Sequence, residues 1–204
     1  ASPKMVEWLR NLLDRQVITV APHDGSYDLR VFDDPAEMQD AISDKARVDG
    51  NNGISRMLAT FDWDYSSAKN DDLWEVSEGN WHMPWNLQLK PTKSDKHQIA
   101  GVKYSDLSWP EQPHTLNEIG STYTIQGLDL NYAGVVIGPS VKYRNGEIIF
   151  DAAESKDKKV INYRTMRDGS KKKFSTELIK NEFNVLMTRG VHGLYIHAVD
   201  PALQ

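Results

Sequence analysis

The stretch Ile119-Gly120-Ser121-Thr122-Tyr123-Thr124-Ile125-Gln126-Gly127-Leu128-Asp129-Leu130 leads, two residues later, into Ala133-Gly134-Val135-Val136-Ile137. The last five residues are apolar without interruption. A strand with one wet face alternates polar and apolar side chains. A continuous run reads instead as a strand covered on both faces, as in a parallel sheet packed between helices. The residues before it are polar and carry Gly120 and Gly127, so they read as a connection delivered into the strand.

The flanking sequence extends this pattern in both directions. Downstream, Val141–Tyr143 and Glu147–Phe150 flank Arg144-Asn145-Gly146, and Asn-Gly tolerates the positive φ of a tight hairpin. A helix is predicted from about Ser175 to Thr188, with Phe174, Leu178, Phe183, Leu186 and Met187 as its apolar stripe. Gly190 is placed to end it, and Leu194–Val199 supplies a last strand. Upstream, residues 3–16 read as a helix, with Ser2 as cap, Pro3 in the first turn, and Met5, Trp8, Leu9, Leu12 and Leu13 at helical spacing. Asp28–Phe32 is a short strand. Asp34-Pro35 opens a second helix that runs to about Val48, ahead of Gly50 and Gly53. Ile54–Thr60 is apolar enough for another buried strand. Strands separated by helices predict an α/β layered domain with a largely parallel sheet. Residues 61–113 depart from this pattern. They hold Trp63, Trp74, Trp81, Trp85 and Trp109 among Asp, Lys, Asn and Pro, and read as an irregular insertion or a small β-rich elaboration.

The chain has 204 residues, enough for one domain with a real core. Its composition, 39% hydrophobic and 26% charged, is that of a soluble globular protein. No apolar run approaches the ~20 residues of a membrane helix, so no membrane partner is expected. The absence of cysteine excludes disulfides, thiolate catalysis and Cys-based zinc sites, and fits a cytoplasmic protein. Net charge is −5, yet Lys156–Lys173 carries eight basic residues against Asp157 and Asp168, leaving about −11 for the remainder. That segment reads as a solvated, mobile loop ahead of a phosphate-contacting patch. No Gly in the chain is followed by Lys, so there is no phosphate loop to cradle a nucleotide. No paired-His metal motif or nucleophile elbow is present either, and no metal ligands are assigned.

Two stretches carry the chemistry. Gly120–Leu130 resembles motif V of superfamily 1 helicases, whose core Thr-x-His-x-x-Gln/Lys-Gly-Leu/Ser-Glu precedes a buried strand. With Gln126-Gly127 as anchor, Ser121 takes the Thr position, Tyr123 the His position and Asp129 the Glu position. Asn184-Val185-Leu186-Met187-Thr188-Arg189-Gly190 resembles motif VI, a helix ending in Thr-Arg ahead of a strand. Together with Ile54–Ala59, Phe61-x-Trp63, Val136–Pro139 and Tyr143-Arg144-x-Gly146, these stretches are similar to the domain-of-unknown-function 2075 family. Its members are Schlafen group 3-like DNA/RNA helicase-domain proteins often described as ATP/GTP-binding. The similarity covers roughly residues 30–200.

This resemblance implies the RecA-like second domain of a superfamily 1-type helicase, a single unit over residues 1–204 with 61–113 as its insertion. Arg189 would be the catalytic finger on the γ-phosphate. Gln126, Gly127, Asp129 and Thr188 would contact nucleotide, and Ser121 and Tyr123 nucleic acid. Members normally carry a phosphate loop in an N-terminal RecA-like half, which would be the main partner and would hold ATP (or GTP) and Mg. DNA or RNA would be the other partner. The start at Ala1 reads as an excised piece of a longer protein, inactive by itself. Tyr123 departs from the family's His, and Gly190 stands where many helicases have Ala. A regulatory or nuclease-associated ATPase module, or a non-enzymatic interaction domain, carries the same motifs. Arg56 falls where motif IV is expected, but a strand arginine is more commonly an ion-pair or surface residue. Asp62, Asp64, Asp71 and Asp72 lack metal-loop spacing and read as acidic surface. The Trp cluster reads as the insertion's own core ahead of a base-stacking platform, and His114, His192 and His197 are assigned no role.

Overall fold

The computed structural model describes residues 3–15, 17, 19–22, 25–48, 54–66, 73–97 and 102–204. The expected Ser2 cap, the Gly50 and Gly53 stop and Asp71-Asp72 lie outside them. In chain order the elements are helix α1 (Pro3–Arg15), strand β1 (Asp28–Val31), helix α2 (Pro35–Val48) and strand β2 (Ser55–Ala59). A hairpin follows, of β3 (Glu75–Glu78) and β4 (Trp81–Pro84), then the short helix α3 (Lys93–His97) and three 3₁₀ turns between Tyr104 and Asn117. The second half holds β5 (Leu130–Ile137), the hairpin β6 (Val141–Arg144) and β7 (Glu147–Phe150), and α4 (Lys158–Ile161). It ends with the two-residue strands β8 (Arg164–Thr165) and β9 (Lys171–Lys172), then α5 (Ser175–Met187) and β10 (Gly190–Ala198).

The central sheet has the order β1-β10-β5-β2, and every neighbouring pair is parallel. It is an α/β fold of the RecA-like kind, with helices on both faces. The period of two along each strand splits the apolar side chains between those faces. Leu58, Ala133, Val135, Ile137, Leu194, Ile196 and Ala198 meet α1 and α5 on one side. Met57, Ala59, Val136 and Tyr195 meet α2 and the Trp-rich segment on the other. Filling both faces is why Ser55–Ala59 is buried at all five positions and Ala133–Ile137 reads as continuously apolar.

Several local expectations hold in detail. Asp34 Oδ1 accepts from Ala36 N at 2.8 Å, capping α2 as its Asp-Pro opening predicts. Asn145 and Gly146 both take positive φ, 53° and 89°, as a two-residue hairpin turn requires. The Trp cluster is buried but is not a core of its own: Trp109 joins the cluster under α1 and α5, Trp85 joins the α2-side cluster, and Trp63, Trp74 and Trp81 pack against the latter. Residues 61–113 are also stitched to the sheet. Gly120 N donates to Met57 O and Ala59 N to Gly120 O, both at 2.9 Å, so Ile119-Gly120 runs along the free edge of β2. Ile119 in turn exchanges backbone bonds with Pro84 and Asn86.

Three boundaries differ from expectation. The last strand begins at Gly190, not Leu194, because a bulge between Gly190 and Gly193 keeps the chain paired with β5 from the end of α5 onward. A Cβ at Gly190 would lie 2.0 Å from Gly193 O, so that bulge needs glycine. The basic segment contains order. Asp157 Oδ1 accepts from Lys159 N to cap α4, and β8 pairs with β9. On α5 the buried stripe is Ile179, Glu182, Phe183, Leu186 and Met187, with Leu178 only half-buried and a carboxylate where a hydrocarbon was expected.

Candidate nucleotide-facing site

Arg189 occupies the one-residue junction between the cap of α5 and the start of β10. Its backbone is fixed on both sides: its N–H donates to Leu186 O at 3.3 Å, and its carbonyl accepts from Leu130 N at 2.9 Å. The second bond ties the two motifs together, because Leu130 is the first residue of β5 after Gln126–Asp129. The side chain reaches the same loop. Arg189 Nη1 lies 3.3 Å from Leu128 O and 3.5 Å from Asp129 Oδ1, the long end of hydrogen-bonding range. Its Nε is buried with no partner. The guanidinium is therefore held in place with donor capacity to spare. The Asp129 pairing is a loose ion pair with a side chain 66% exposed, which costs little to give up.

The loop that meets it is shaped by Gly127. Leu128 N donates to Ile125 O at 3.1 Å, and Gly127 has φ +77° at the third position of that turn. A left-handed residue there favours glycine in a type II-like turn. Ile125 is fully buried and anchors one side, while Gln126 and Gly127 stand exposed at the corner. Thr188 is used differently. Its hydroxyl sits 2.8 Å from Asn184 O and 3.2 Å from Val185 O, closing the last turn of α5. These bonds fix the helix end next to Arg189.

The other two expected residues lie elsewhere. Ser121 is fully buried. Its Oγ accepts from Tyr123 N at 3.3 Å and its carbonyl from Thr124 and Ile125 N–H, so it builds the loop from within. Tyr123 is exposed and packs edge-on to Phe61, with ring centroids 5.7 Å apart. Its hydroxyl donates to Asp157 Oδ2 at 2.7 Å, and Lys159 Nζ lies 4.5 Å from its ring centre. Partial desolvation of the ring's hydroxyl end, then the Asp157 carboxylate, pushes the phenol well above its ordinary range. Gly120 pairs near the carboxyl end of β2, whereas Leu130 starts β5 beside its amino end. The motif thus crosses one face of the sheet, and Tyr123 and Arg189 stand toward opposite ends of it. Phe61, Asp157 and Lys159 were not singled out as functional candidates. Lys159 belongs to a visible basic run, but a pairing across 34 residues, as between Tyr123 and Asp157, leaves no local signature.

Arg56 is not at this site. It is buried in β2, donating to Thr115 Oγ1 (2.9 Å), Ser55 O (2.8 Å) and Gln112 O (3.2 Å), and so fastens the 3₁₀ segment to the sheet. Burial lowers its pKa to about 10. A buried carboxyl lies under Phe61, whose N–H donates to Glu182 Oε1 at 2.9 Å. Desolvation, then repulsion from Asp62, raises Glu182 to about 8. Among the described residues no group of three or more His, Asp or Glu is placed to hold a metal ion. None of the described helices is long and apolar enough to cross a membrane.

Comparison with known proteins adds two findings. The family model described as Schlafen group 3, DNA/RNA helicase domain matches residues 1–200. The uncharacterized protein YPL245W of Saccharomyces cerevisiae is 35% identical over 187 residues, covering 88% of this chain and 36% of its own length. This chain thus spans about a third of that relative. No solved structure matches.

Proposed function

The chain belongs to the Schlafen group 3 DNA/RNA helicase-domain family, and from that premise we propose that it is the closing half of a nucleotide site in a superfamily 1-type helicase or translocase. The observation that carries this reading is the Arg189 guanidinium. It is fixed at a helix–strand junction, touches the Gln126–Asp129 loop, and retains a buried, unpartnered Nε. Such an N–H is costly to leave unmade and is satisfied by an incoming anion.

In this reading a separate N-terminal RecA-like half binds ATP (or GTP) and Mg and supplies the phosphate loop. When the halves close, a phosphate oxygen displaces the long Asp129 contact and Arg189 stabilises charge developing on the transferred phosphoryl group. Asp129, released, accepts from a ribose hydroxyl, and Gln126 bears on the nucleotide from the turn corner. Thr188 acts through the helix end that aims Arg189. Cycles of closure and reopening drive movement along DNA or RNA. The test is Arg189→Ala in the full-length protein with ATP turnover as readout. A fall of about 10³-fold is expected from the effect of arginine fingers, and unchanged turnover would end the assignment.

A further inference from the structure

Beyond the carboxyl end of β2, away from Arg189, lies a cavity of about 390 Å³, within the ordinary size of ligand sites. The carboxyl ends of parallel strands are where open α/β sheets place ligands. Its walls include Phe61, Tyr65, Asn86, Tyr123, Lys156 and Lys159.

Asn86 is the informative residue. It is 4% exposed, yet neither Nδ2 nor Oδ1 has a hydrogen-bond partner. A buried primary amide left wholly unmade is unfavourable unless something supplies a matching donor and acceptor. Its backbone is held firmly. Asn86 N donates to Ile119 O at 3.0 Å, and the buried Glu118 carboxylate accepts from Leu87 N and Leu89 N. Asn86 and Leu87 adopt φ of 62° and 64°, so the residue that carries the amide sits on a left-handed corner in the cavity wall.

The surroundings narrow the ligand. Phe61 stands edge-on to both Tyr65 and Tyr123, at 6.2 and 5.7 Å, giving the cavity aromatic walls. Such walls suit a flat π-system. The rim carries Lys156, Lys158 and Lys159, all exposed, and Asp157, whose carboxylate is engaged by Tyr123 and the α4 cap. The same basic segment continues through the exposed Arg164, Lys171 and Lys172 of the β8–β9 hairpin. A planar group with an adjacent donor and acceptor, followed by successive negative charges, describes a nucleotide, and the run of exposed basic residues on to Arg164, Lys171 and Lys172 suits one within a strand.

We propose that this cavity takes one unstacked base of a single-stranded nucleic acid, with the Asn86 amide hydrogen-bonding its edge and Lys156, Lys158 and Lys159 bearing on the flanking phosphates. The proposal rests on the nucleic-acid part of the reading above and adds to it a base preference. Asparagine pairs in bidentate fashion with adenine, so adenine is the preferred base.

The test is fluorescence anisotropy of homopolymeric single strands of about 12 nucleotides, without ATP, so that it is independent of Arg189. Wild type binds the adenine strand about tenfold or more tightly than the weakest homopolymer, the discrimination a bidentate pair gives. Asn86→Gly keeps the left-handed backbone and flattens that spread. Asn86→Asp, which replaces the amide donor with an acceptor, moves the preference to another base. Replacing Lys156, Lys158 and Lys159 together by Ala weakens every homopolymer alike and makes the salt dependence shallower. Strand binding whose spread survives Asn86→Gly and Asn86→Asp overturns the base pocket while leaving nucleic-acid binding in place. Failure of wild type to bind any strand overturns both.

Discussion

Glu182 offers the most quantitative test of the packing. Its carboxyl sits on the buried face of α5, with Oε1 satisfied by Phe61 N–H and Oε2 by nothing. Desolvation first, and the Asp62 carboxylate second, raise it from 4.5 to about 8. The folded protein therefore holds a proton that the unfolded chain releases near its ordinary pKa. Below about pH 4.5 both states are protonated and the stability contribution is intact; as pH rises toward 8 it is progressively lost. Each pH unit in that window costs up to about 1.4 kcal/mol. Between about pH 5.5 and about pH 7.5 the wild type should lose about 2.5 kcal/mol. Asp62, raised in the same direction by its own burial, adds to the loss with the same sign. Glu182→Gln keeps an oxygen for Phe61 N–H, removes the titration and places a donor where Oε2 had no partner. Urea unfolding at a series of pH values should show the variant more stable at pH 7.5, with a stability difference from wild type that shrinks toward pH 5.5. Parallel pH profiles for the two proteins would refute the reasoning.

Two further substitutions test the frame that positions the sites. Arg56→Ala removes the donor to Thr115 Oγ1, Ser55 O and Gln112 O and opens a cavity between β2 and the 3₁₀ segment. A loss of about 3–5 kcal/mol in denaturant unfolding is expected, and a change near zero would contradict the buried tie. Gly134→Ala would put a Cβ 2.6 Å from Met57 Sδ and 2.7 Å from Ile42 Cγ1, forcing α2 off the sheet. It should cost about 1–3 kcal/mol by thermal or urea melts, with no loss indicating that α2 packs less closely than the register implies.

Much of the architecture was legible because it follows from local rules. Asp34-Pro35, Asn145-Gly146 and the Ala133–Ile137 run each specify their own conformation within a few residues, and each appears where the chain says it should. The loop and helix end resembling motifs V and VI were also readable, since each is a contiguous string. Their meeting was implied by the family pattern, and the Leu130–Arg189 bond realises it.

Residue types whose role is set by distant neighbours were not legible. Glu182 breaks the apolar stripe of α5 because it serves the backbone of Phe61, 121 residues away. Arg56 looked like a strand-end arginine until the 3₁₀ segment closed over it. Asn86 carried no pattern at all. Ser121 was placed at a nucleic-acid contact by string position, yet its hydroxyl faces its own loop. By itself the sequence determined the helices and strands outside residues 61–113 and 156–173, the parallel α/β class and the family resemblance, because helical and strand periodicity and short motifs are local properties. The strand order β1-β10-β5-β2, the separation of Tyr123 from Arg189 and the unpartnered amide of Asn86 came only from the tertiary structure. They depend on which surfaces are desolvated together, and desolvation is a property of the packed chain.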